Sequence, residues 1–137
     1  MSKRKLSAIG VMTAATAAVS LIGAAPAWAG PSVDCDVPNV CIHYNSSTNG
    51  YGAYFEQKSS INDYAPYTFR TGDNGSSGAG LSVKNNAAFI WNRNDRAFQV
   101  FYNSYFSCAV ACQTIAPHGQ VNLNSQLKNN NASGMYK

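Results

Sequence analysis

Val40-Cys41-Ile42-His43-Tyr44-Asn45-Ser46 and Ala97-Phe98-Gln99-Val100-Phe101-Tyr102-Asn103-Ser104 are two β-rich runs that end in the same tripeptide, Tyr-Asn-Ser. A second matching pair follows in the same order: Lys84-Asn85-Asn86 and Lys128-Asn129-Asn130, each directly preceded by an apolar residue, Val83 or Leu127. Asn and Ser are abundant here, so a chance match is the alternative. The preserved order favours a duplicated unit. Four short strands repeated once predict two Greek keys packed as a sandwich.

The rest of the chain agrees with an all-β class. No window sustains apolar residues at i, i+3, i+4 and i+7, because Gly, Asn and Ser interrupt each one. Strands are expected over Val40–Tyr44, Tyr51–Glu56, Leu81–Lys84, Ala88–Trp91, Ala97–Tyr102, Gln113–Ala116 and Gln120–Leu123, the last two flanking the Pro117-His118-Gly119 turn. Residues 30–137 hold 15 Asn, which suits many tight turns because Asn tolerates the left-handed region. The stretch 57–80 reads as a loop; within it Asp73-Asn74-Gly75-Ser76-Ser77-Gly78 is a flexible, turn-rich segment, with disorder as the alternative, and no site is expected there.

Residues 1–29 read as a secretory signal peptide: basic Lys3, Arg4 and Lys5, the apolar run Leu6–Ala24, then the cleavage site Ala27-Trp28-Ala29. The alternative, a membrane anchor, lacks a basic stop-transfer flank after Pro26. Cleavage leaves residues 30–137, one domain, with no membrane association expected. The leader carries three of the ten Lys and Arg residues, so the mature chain has a formal charge of only +1. Its one close basic pair, Arg93 and Arg96, encloses Asp95, which gives nucleic-acid binding no support.

Cys35 and Cys41 bracket five residues, and Cys108 and Cys112 bracket Ala109-Val110-Ala111. After a secretion signal these thiols are expected to pair, and of three possible connectivities proximity favours Cys35–Cys41 and Cys108–Cys112. So short a loop contributes about 2 kcal/mol in the chain-entropy model, so these bridges shape loops as well as hold the fold. The 108–112 loop has two interpretations: a hairpin end packed on the core, or a preordered apolar segment offered to a protease cleft.

Little else suggests chemistry. His43, His118, Glu56 and the scattered Asp residues form no nucleophile elbow, zinc-protease motif or phosphate loop, so no enzyme is expected and no cofactor is implied. Zinc spacing is lacking. Asn130 with Ser133 is a weak calcium candidate, but Phe89 stands where the corresponding turn needs a hydroxyl, and neither turn holds a carboxylate.

The early Cys35-x5-Cys41 followed by Ile42-His43-Tyr44, and the late Cys108–Cys112 bracket followed by a strand and the Pro117-His118-Gly119 turn, resemble the small secreted metalloproteinase inhibitors of streptomycetes. The resemblance covers essentially the whole mature chain. It implies a βγ-crystallin-like Greek-key sandwich acting on an extracellular protease; a monomer is expected. It also implies inhibition of thermolysin-like enzymes through the second disulfide loop, with the reactive bond at or near Cys108–Ala109. The loop is one residue shorter than the family pattern, and Ala109 is small for the pocket such enzymes present, which Val110 would fill after a shift of one residue. The rival is a non-inhibitory βγ-crystallin-like module that binds calcium or an envelope or carbohydrate ligand. A carbohydrate binder would use Tyr51, Tyr54, Phe55, Tyr64 and Tyr67 as an exposed stacking strip.

Overall fold

A computed structural model describes residues 30–137; the expected signal peptide, residues 1–29, and its expected cleavage site lie outside the described residues. The described chain is all-β, with strands β1 (Val40–His43), β2 (Tyr54–Gln57), β3 (Phe89–Asn92), β4 (Phe98–Phe101), β5 (Cys112–Ile115), β6 (Gln120–Asn122) and β7 (Ser133–Tyr136). They form two antiparallel sheets, ordered β2-β1-β3-β6 and β5-β4-β7. β1 and β4 are central, each hydrogen-bonded on both sides, and they are the two β-rich runs that end in Tyr-Asn-Ser. All four β1 residues are buried, which suits a run of β-branched and aromatic-like side chains without charge. Val40, Ile42 and Ile90 of the first sheet share one core cluster with Phe98, Val100 and Ile115 of the second.

The second sheet gains a further member at a single residue. Ile61 and Gly134 exchange both backbone hydrogen bonds, at 2.9 and 3.0 Å. Each half therefore sends one segment into the other half's sheet: β6 lies beside β3, and Ile61 lies beside β7.

The repeat seen in the sequence is a repeat in space. Tyr44 N–H donates to Ala53 O at 3.0 Å, and Tyr102 N–H donates to Ala111 O at 2.9 Å. Ala88 N–H donates to His43 O, as Ala132 N–H does to Phe101 O. The two Asn turns face each other: Asn85 N–H donates to Asn131 O at 2.7 Å, and Asn129 N–H donates to Ala87 O at 2.9 Å. Asn85 and Asn129 both take the left-handed conformation, at φ 62° and 60°, which Asn tolerates better than other non-glycine residues.

Three expected elements differ. The second strand starts at Tyr54 rather than Tyr51, because Tyr51 and Gly52 both have φ 66° and turn the chain. Leu81–Lys84 forms no strand, only an isolated bridge between Ser82 and Thr68. The 57–80 stretch is tied down throughout: Tyr64 is fully buried, and Arg70 pairs with Tyr54 through both backbone bonds. Asn74 holds the Ser32 backbone from both sides, accepting from its N–H and donating to its O. Its Gly and Asn content signalled turns, and the side-chain anchors that order those turns are remote in sequence.

Candidate functional site

The β4–β5 hairpin carries the stapled loop. Cys108 and Cys112 are bonded, with Cα atoms 5.1 Å apart, and Cys35–Cys41 is the other bridge. Both are the local pairings that proximity favoured. Cys112 opens β5, so one end of the loop is fixed in a sheet. Gln99 of β4 directs its Nε2 at both sulfurs, at 3.7 and 3.2 Å, and so props the bridge from below.

Between the cysteines the three residues divide. Ala111 is 7% exposed and belongs to the core cluster, with its carbonyl accepting from Tyr102. Ala109 and Val110 form a bend, and Val110 is 57% exposed. The Ala109 N–H donates to Ser107 Oγ at 3.3 Å, which fixes the entry to the bend. An extended segment, favoured by Val110's β-branching, is not what forms. Four extended steps would span about 13 Å, far more than the bridge allows. The loop presents one apolar knob on a stapled bend, not an edge strand.

A second exposed apolar group sits in the same hairpin. Tyr105 is 73% exposed, and it and Phe106 both have φ 60°. Two consecutive left-handed aromatic residues need support from outside. Tyr105 N–H donates to Asn62 O at 2.7 Å, Phe106 N–H donates to Ser133 Oγ at 3.2 Å, and the Phe106 ring meets Phe101 edge-on. Sequence reasoning did not single out Tyr105. Its exposure depends on these long-range anchors, and no local pattern marks it.

The same contacts bear on the calcium candidate. Ser133 is fully buried, and its hydroxyl donates to Asn103 O at 2.7 Å while accepting from Phe106. Asn130 instead turns its amide to Gln126 O. The two candidate ligands thus serve different hydrogen bonds. Among the described residues there is no group of three or more His, Cys, Asp or Glu side chains placed to hold a metal ion.

The exposed aromatic strip does not form. Tyr51 and Tyr64 are buried at 7% and 0% exposure, Tyr54 and Phe55 are half-buried, and only Tyr67 is open. Tyr64 is a core residue because its hydroxyl finds a buried acceptor, Gln57 Oε1, at 2.6 Å. The two histidines lie apart in role: His43 is fully buried, while exposed His118 meets Asp95 at 2.7 Å. Among the described residues no helix is long and apolar enough to cross a membrane.

No family model, curated protein or solved structure matches the chain.

Proposed function

We propose that the domain is a secreted inhibitor of an extracellular protease, of the thermolysin-like metalloprotease class, built as two Greek keys with a βγ-crystallin-like arrangement. One observation carries the reading: Val110, more than half exposed, stands on a loop closed by a disulfide and anchored to the sheet through Ala111 and Cys112. An isolated exposed Val is unremarkable on a surface. On a preordered bend it differs, because binding then loses little loop entropy. The bend favours insertion of a single apolar side chain into a pocket of the cleft. Two disulfides favour an oxidising compartment. The exchanged segments β6 and Ile61 are the arrangement that paired Greek keys would give.

The test is inhibition measured against thermolysin-type, subtilisin-type and papain-type proteases, with Val110→Asp beside wild type. Saturable, stoichiometric inhibition of the thermolysin type alone is expected. Val110→Asp should weaken it by about 2 kcal/mol, roughly thirtyfold, since a charge enters an apolar pocket. Its melting temperature should stay within a degree or two of wild type, because the side chain is already open. Unchanged inhibition by Val110→Asp would place the reactive site elsewhere, and no inhibition of any of the three would remove the inhibitor reading.

A further inference from the structure

The two halves treat one lysine differently. Lys84 and Lys128 are equivalent, each opening its Lys-Asn-Asn turn. Ser104 and Ser46 are equivalent too, each ending its Tyr-Asn-Ser run. In one half the Lys84 ammonium is satisfied internally, by Asp63 Oδ1 at 3.0 Å and Ser104 Oγ at 3.2 Å. Among the described residues, Lys128 has no carboxylate within ion-pair distance, and neither its ammonium nor the Asn129 side-chain amide has a hydrogen-bond partner.

The chain path explains the difference. Ile61 and Val121 hold equivalent places, opposite Gly134 and Ile90. Tyr64 and Leu123 are equivalent again, donating to Ala132 O and Ala88 O. Asn62 and Asp63 lie between the first pair, and Asn122 alone lies between the second. Asn62 O accepts from the Tyr105 N–H; Asn122 Oδ1 accepts from Ser47, the residue equivalent to Tyr105. Asn122 therefore does the work of Asn62, and nothing stands in for Asp63. Where the carboxylate is missing there is a pocket of about 180 Å³, lined by Tyr44, Asn45, Ser46, Asn49, Lys128 and Asn129 among others. The polar side chains that line it are one cation, amides and two hydroxyls, with no acid.

We propose that this pocket binds the carboxylate of a small ligand, which takes against Lys128 the place that Asp63 takes against Lys84. An ammonium–carboxylate hydrogen bond is charge-assisted and stronger than a neutral one. The Asn129 amide adds an unpartnered donor beside it. This site is separate from the 108–112 loop and does not depend on the inhibitor reading.

The test is an NMR titration of the exported protein with acetate at low ionic strength, where screening is least. Saturable shifts at the Asn129 and Asn45 amides are expected. Lys128→Gln should weaken binding about tenfold, as loss of a charged hydrogen bond implies. Lys84→Gln should leave it unchanged; Lys128 is exposed, so its variant should fold. Absence of saturable shifts in wild type, or equal affinity in Lys128→Gln, would overturn the site. Tighter binding of inorganic phosphate than of acetate would overturn its assignment to a carboxylate.

Discussion

Gly134→Ala should cost about 4 kcal/mol of stability, although it adds one methyl group. Gly134 lies in β7 opposite Val100 and bonded to Ile61 on its other side, so its backbone cannot move away. A Cβ there would overlap the Tyr64 hydroxyl and the Phe98 ring. Both side chains are fully buried. Overpacking a filled core costs roughly 1–3 kcal/mol. A displaced Tyr64 also loses its 2.6 Å bond to Gln57 Oε1, leaving a buried acceptor unpaired. Gln57 in turn donates to Gly134 O at 2.9 Å and Ser59 O at 2.8 Å, so the disturbance reaches β2. Burial pushes the Tyr64 phenol well above its usual range, so it remains a donor across all working pH. Denaturant unfolding measures the loss. A double variant with Tyr64→Phe separates the causes: removing the hydroxyl relieves part of the overlap, so the two changes together should cost less than their sum. Simple additivity would mean that the methyl group acts by some other route.

Acid should destabilise this protein through His43, by about 3 kcal/mol between pH 7 and pH 4. The imidazole is fully buried, neither ring nitrogen has a hydrogen-bond partner, and it packs among Tyr51, Tyr54 and Phe89. Burial lowers its pKa from 6.5 to about 4, and the Asp34 charge opposes this without overcoming it. The folded state thus binds the proton less readily than the unfolded state. Stability is full above about pH 6.5 and falls as the pH drops toward the folded value near 4. The equivalent position in the other half is Phe101, buried at 2% exposure. His43→Phe should therefore raise the melting temperature at neutral pH and remove this part of the acid loss. Carboxylates titrate near the same pH, so the measured quantity is the difference between wild type and His43→Phe. That difference should widen from pH 7 to pH 4; parallel profiles would show that His43 stays unprotonated or finds a partner.

Much of the framework was legible along the chain. β1 and β4 announce themselves through β-branched and aromatic runs, and the Lys-Asn-Asn turns through a residue type that tolerates positive φ. Both disulfides agree with the pairing that short spacing favours, since cysteines six and four residues apart meet as soon as the chain between them turns. The order of the repeated tripeptides matches a real structural duplication.

Exposure was legible only in space. Tyr64 and Tyr67 are alike in sequence; one meets Gln57 in the core and the other meets solvent. Val110 and Ala111 are adjacent apolar residues, yet the hydrogen bond from Tyr102 turns Ala111 inward and leaves Val110 out. Lys84 and Lys128 sit in the same tripeptide, and one residue of difference in a distant connection decides which meets a carboxylate. The sequence by itself determined the local conformations, the cysteine pairs and the duplication, because these depend on neighbours within a few residues. The tertiary structure alone decided which side chains face water and which charges are paired, because burial and pairing depend on segments brought together from opposite halves of the chain.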